Sequence, residues 1–175
     1  MLFPEDLIID EPNAHWLIAH LKPNQETKMS TDLKNNGIPH FLPLVSKRTA
    51  RRKLMRPLFP GYIFFLQDEG TRLAVLQTGR TVRIIRVLDQ EKLKSELVQV
   101  YQALKSGLKI DPFNDIVIGM PCQIVTGAGA GIRGTVIQKS DSLSKQKVVL
   151  EISSINQSIL LEVDASAIRV ISSPQ

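Results

Sequence analysis

PLFPGYIFFL, residues 57–66, sets four aromatic residues, Phe59, Tyr62, Phe64 and Phe65, around one Pro-Gly pair. Aromatic and β-branched side chains suit a pleated, half-buried surface, so residues 58–66 predict a strand. On an alternating strand Tyr62 and Phe64 share a face, and Phe59 joins them only if Pro60-Gly61 introduces a bulge that resets the register. Ile63 and Phe65 read as core. Phe59, Tyr62 and Phe64 read equally as core or as the lining of an exposed apolar groove.

Outward from this strand the chain alternates in rhythm. HWLIAHL, residues 15–21, is a short apolar run that predicts a buried strand. Trp16 in it reads as core, and His20, near the strand end, as either core or surface. Pro23 and Asn24 stop the run. Residues 25–36 then predict an amphipathic helix ending at Gly37, a natural C′ residue. Residues 38–45 are extended, 71–78 helical, 82–88 a further strand, and 91–106 a helix with Leu93, Leu97, Val100 and Leu104 on one face. The order β-α-β-β-α-β-α predicts an α+β domain over residues 13–107, an antiparallel sheet with packed helices. Residues 108–117, with Pro112, Asn114 and two acids, read as a linker. In 118–175 five short strand patterns, CQIVT, IRGTVIQK, KVVLEI, SILLEV and AIRVI, follow at close spacing and predict a small all-β barrel.

GAGAGIRG, residues 127–134, holds a literal G-x-G-x-x-G at Gly129, Gly131 and Gly134. A dinucleotide site needs a helix starting there, to aim its N-terminus at the pyrophosphate. Thr135, Val136 and Ile137 follow instead, and such residues prefer a strand. The glycines, Gly127 included, therefore read as a turn between two strands, and no cofactor is expected.

The chain has 175 residues, 43% of them hydrophobic and 22% charged, which describes a folded protein of one or two domains. No apolar run approaches the roughly 20 residues a membrane helix needs. The start, MLFPEDLIIDEP, has no basic n-region and does not read as a signal peptide, so a cytoplasmic protein is expected. The single cysteine, Cys122, reads as core, and the scattered His15, His20 and His40 give no metal spacing. The acids are scattered too, and no catalytic constellation is found, which predicts a non-enzyme. Residues 1–12 carry four acids and no base and form an acidic extension. Residues 13–109 carry seventeen bases against seven acids, and residues 110–175 five against six. The middle block, at net +10, is the part expected to meet a polyanion. Its densest run is Lys47, Arg48, Arg51, Arg52, Lys53 and Arg56, which reads as a mobile hairpin tip. That tip is either a solvated loop or a contact to phosphate or to an acidic protein surface.

W-L-I-A at residues 16–19, P-L-F-P-G-Y-I-F-F at 57–65 and T-G-x-x-V-x-x-I at 78–85 together resemble the N-terminal domain of the NusG family of transcription elongation factors. Residues 118–139, with Gly119, Gly127, Gly131 and Gly134, resemble the KOW motif of that family's C-terminal, SH3-like barrel. The ending QSILLEVDASAI, residues 157–168, looks most like the operon-restricted members, the UpxY-like antiterminators of polysaccharide operons.

This resemblance implies a monomer whose first domain docks an apolar groove, His20, Phe59, Tyr62 and Phe64, on the clamp helices of the largest RNA polymerase subunit. Such a factor reduces pausing or termination. Arg72 and Arg80 fall where specialised relatives meet non-template DNA. The barrel would recruit a ribosomal protein or a termination factor. At the turn, however, Gly129 stands where the family places a large apolar residue, which puts termination-factor docking in doubt. The β-branched strands argue for a resident barrel rather than a helical hairpin that refolds. The competing reading is a KOW-bearing RNA- or ribosome-binding protein with no polymerase contact.

Overall fold

The structure is a computed structural model that describes residues 1–48, 53–68, 70–113, 119–137 and 145–171. Contacts divide the chain into two compact units, Met1–Ser95 and Glu96–Gln175. The first holds β1 (Leu2–Phe3), β2 (Trp16–Leu21), α1 (Glu26–Asn35), β3 (His40–Phe41), β4 (Leu44–Arg48), β5 (Lys53–Pro57), β6 (Tyr62–Leu66), α2 (Thr71–Gln77) and β7 (Thr81–Arg86). Helix α3 (Gln90–Ser106) crosses the boundary. Then come β8 (Ile110–Phe113), β9 (Met120–Ile124), β10 (Arg133–Ile137), β11 (Lys145–Ile152), β12 (Gln157–Asp164) and β13 (Ile168–Val170). The whole is an α+β protein of antiparallel sheets and, among the described residues, three α-helices.

In the first unit the strands run β1-β3-β6-β2-β7, with β4 and β5 forming a separate two-stranded hairpin. Alternation along β2 and β6 turns Leu17, Ala19, Leu21, Ile63 and Phe65 to one face, where they pack with Met29 and Leu33 of α1 and Val75 of α2. Helix α1 stops as its sequence directs. Gly37 turns left-handed at φ +66, its N–H bonds the Lys34 carbonyl, and the Ile38 N–H bonds the Leu33 carbonyl. This is a Schellman cap, and it delivers Ile38 to the same core as Leu33. His40 is buried between Ser30 Oγ (2.7 Å from Nε2) and the Ile38 carbonyl (2.8 Å from Nδ1), and burial pushes its pKa below the usual value.

The elements differ from the sequence reading at several points. The strand predicted over 58–66 begins only at Tyr62, because Pro60-Gly61 makes a turn rather than a bulge. Within the acidic residues 1–12, β1 pairs with β3 through Leu2↔Phe41 and Phe3↔His40. The expected linker 108–117 supplies β8, which lies on β12 at the edge of the second sheet. Residues 114–118 lie outside the described residues. In α3 the buried positions are Leu93, Lys94, Leu97, Val100 and Ala103, so Ala103 takes the place expected for Leu104, which is half-buried.

The five strand patterns read in the second unit all form, as β9 to β13. With β8 they make an antiparallel sheet in the order β13-β9-β10-β11-β12-β8. Among the described residues no ladder joins β13 to β8. Cys122 is buried in β9, as expected for a core thiol.

Candidate protein and nucleic-acid interface

The opposite face of the first sheet is aromatic. Cross-strand register sets Trp16 against Leu66, Ile18 against Phe64 and His20 against Tyr62. Arg83 of β7 continues the last row on the other side of His20. The rows run from closed to open. Trp16, Ile18 and Phe64 have no exposed surface, whereas His20 and Tyr62 are half-buried and Arg83 is exposed. The His20 and Tyr62 rings stack at 5.0 Å and 20°. Nδ1 of His20 is buried with no hydrogen-bond partner.

Phe59 and Phe64 correct the groove expected from sequence. They are 1% and 0% exposed, and they meet edge to face at 6.1 Å and 84°. Phe41 packs on Phe64 from β3 at 6.5 Å. The two phenylalanines are therefore the floor of the site and not its lining. Burying each contributes about 1.5–3 kcal/mol to folding, a sum no partner needs to supply. Of the four expected groove residues, only His20 and Tyr62 reach the surface.

The turn that separates floor from surface is Phe59-Pro60-Gly61-Tyr62. Proline sets φ for the second position, Gly61 adopts φ +83 at the third, and the Tyr62 N–H bonds the Phe59 carbonyl at 3.2 Å. These are the marks of a type II turn. The Gly61 N–H, pointing away, is accepted by Glu26 Oε1 at 2.7 Å, and the Gly61 carbonyl accepts the Leu21 N–H at 2.8 Å. Glu26 is itself buried in the first turn of α1. Sequence reasoning missed Glu26, because its partner lies 35 residues away.

The expected cations separate into two kinds. Arg80 is engaged: Nε donates to Asp32 at 2.6 Å and a second guanidinium nitrogen to Gln25 Oε1 at 2.7 Å. It ties the start of β7 to α1. Arg72, on α2, and Arg56, on β5, are exposed, as are Arg83 and Arg86. Lys47, Arg48 and Lys53 sit in the paired strands β4 and β5, with Arg48 opposite Lys53. Their side chains, and the whole of Arg51 and Arg52, lie outside the described residues, and with them the expected mobile tip.

The glycine-rich turn joins β9 to β10. Gly127 and Gly131 have φ of +80 and +96. Gly129 and Gly134 are instead enclosed: a Cβ on Gly129 would stand 2.8 Å from the end of the Leu108 side chain, which would have to shift, and one on Gly134 2.5 Å from the Val149 backbone carbonyl. A strand, not a helix, follows the turn, so the dinucleotide arrangement is not built. Among the described residues no cluster of metal-ligating side chains occurs, and no helix is long and apolar enough to cross a membrane.

A family profile, NusG, described as transcription termination factor nusG, matches residues 14–104, just over half of the chain. No match is found among curated proteins. Among solved structures, the chain is similar to Thermotoga maritima NusG, from a study of its domain interaction. The identity is 16% and the TM-score 0.53, over 91% of this chain and 98% of that one. It is also similar to a chain of the MjSpt4:Spt5 complex, at 15% identity over 91% and 99% of the two chains, but with a TM-score of 0.28 that carries no weight.

Proposed function

The chain belongs to the NusG family of transcription factors, a non-enzymatic family, and from that premise we propose that it is an elongation or antitermination factor that rides on RNA polymerase. The observation that carries this reading is the His20–Tyr62 stack, held at the open end of an otherwise buried aromatic face. Half-buried aromatics on a rigid sheet lose little freedom on binding and serve as anchors for a protein partner. The proposed partner surface is the clamp helices of the largest polymerase subunit. Arg83 beside the stack, with Arg72 and the basic β4–β5 hairpin, offers cations to non-template DNA or to an acidic polymerase surface.

The second unit we propose to be a KOW-type barrel that reaches another protein, a ribosomal protein or a termination factor. The ending at residues 157–168 supports a specialised factor acting on selected operons, of the polysaccharide type.

The test is binding of the intact protein to a clamp-helix fragment, measured by fluorescence anisotropy. Replacing both His20 and Tyr62 by alanine is expected to weaken binding about thirtyfold or more, on the order of 2 kcal/mol, with the melting temperature within a few degrees of the parent. Phe64→Ala is unsuitable, because removing a buried phenylalanine costs about 3–5 kcal/mol of stability by itself. Unchanged affinity in the folded double variant would refute the reading. Transcription past a pause site or terminator, with and without the protein, then separates an elongation factor from a passive binder.

A further inference from the structure

Glu26 opens α1 and is 7% exposed, too little to serve as a contact residue. A carboxylate is costly to bury, and a protein interior tolerates one where it accepts a charge-assisted hydrogen bond or faces the positive end of a helix. Glu26 has both. It sits in the first turn of α1, and its Oε1 accepts the Gly61 N–H at 2.7 Å. The Gly61 carbonyl in turn accepts the Leu21 N–H of β2 at 2.8 Å. Gly61 is thus gripped on both sides, from a helix and from a strand.

Turns of type I and type II differ by a flip of the central peptide, here Pro60–Gly61. Proline at the second position and glycine at the third permit either. Glu26 decides between them, because the Gly61 N–H meets its carboxylate in the type II orientation and turns away in the other. The consequence falls on the open row of the aromatic face. Tyr62 follows Gly61 directly and stands opposite His20, with the two rings at 5.0 Å and 20°. A Cβ on Gly61 would lie 3.6 Å from the His20 ring, so the imidazole rests over the turn itself.

We propose that Glu26 is a positioning residue for partner binding: its carboxylate fixes the Pro60–Gly61 peptide and so holds Tyr62 stacked on His20 in the free protein. The partner then meets a pair already formed, and the cost of ordering it is not charged to binding. That this pair docks on the clamp helices rests on the polymerase reading above; that Glu26 sets the pair does not.

Two full-length variants test this, with melting, the NMR shifts of the Tyr62 ring protons and affinity for the clamp-helix fragment read on each. Glu26→Gln keeps an oxygen acceptor at the same reach. It is expected to keep the Tyr62 ring shifts and to bind within about twofold of the parent. Glu26→Ala, with a cooperative melt, should lose those shifts and bind about tenfold more weakly. A folded alanine variant with the parent's shifts and affinity overturns the proposal, whatever its melting temperature. So does a glutamine variant as impaired as the alanine variant, since the acceptor is still present. If the alanine variant does not fold, hydrogen exchange of the unmodified chain decides. The Gly61 amide should then exchange about a hundredfold more slowly than the amide of an open turn, and exchange at the open rate overturns the bond. A fragment that binds no form, parent included, sinks the polymerase reading and leaves the Tyr62 shifts to judge Glu26.

Discussion

Gly61 shows how one residue can decide what a site exposes. Its left-handed φ completes the turn that leaves Phe59 below the surface and Tyr62 at it. A Cβ added there would stand 3.6 Å from the His20 ring, an ordinary contact, so the cost of a side chain is conformational and not steric. Gly61→Ala is therefore expected to lower stability by about 1–2 kcal/mol in urea denaturation, the cost of holding an L-residue left-handed. The same change should weaken clamp-helix binding more than its stability effect explains, because Tyr62 leaves its register with His20. A substitution neutral on both counts would mean the turn has another conformation in solution. The Pro-Gly pair was legible in the sequence as a break in the strand. What it broke was not, because turn and bulge use the same two residues and differ in a hydrogen bond to Phe59. Glu26 was invisible for a related reason: an acid in the first turn of a helix is ordinary, and its role is set by a backbone amide far along the chain.

At the scale of elements, reading by periodicity succeeded where the element was long enough to have a period. Helix α3 and strands β2, β6, β11 and β12 follow their patterns, and the Schellman end of α1 was written in Gly37. β1 and β8 escaped because two to four residues cannot establish alternation, and Pro112 in β8 argued for a linker. Proline is tolerated there because β8 is an edge strand. The glycines of the second unit gave the turn but not the reason for each one. Gly134 lies inside β10 with an ordinary φ, where a side chain would run into the Val149 carbonyl of β11. The β10–β11 ladder must therefore spread to admit even a methyl group. Gly134→Ala is expected to destabilise the second unit by about 1–3 kcal/mol, read as an earlier calorimetric transition for that unit with the first unit's transition unmoved. Joint movement of both transitions would show that the two units unfold together.

At the scale of the whole molecule, the charge blocks were legible and the long-range bond that holds Trp16 was not. Alternation says which residues share a face, but not that the Ile9 carbonyl accepts the Trp16 indole N–H. The charge distribution leads to a prediction that separates the two kinds of arginine. Binding of single-stranded DNA by the intact protein should weaken as salt rises, with log K falling by about 0.7 for each phosphate neutralised. If the hairpin run from Lys47 to Arg56 supplies the contacts, Arg56→Glu removes one cation and opposes its neighbours, so the slope should become shallower by about one contact or more. Arg80→Ala should leave the slope where it was, since its guanidinium is already committed to Asp32 and Gln25. A half-exposed pair of this kind contributes on the order of 1 kcal/mol or less, so this variant remains folded for the measurement. A slope that responds to Arg80 and not to Arg56 would move the nucleic acid from the hairpin to the start of β7. A slope near zero for the parent would leave the basic block to an acidic protein surface, where affinity depends on the clamp helices alone.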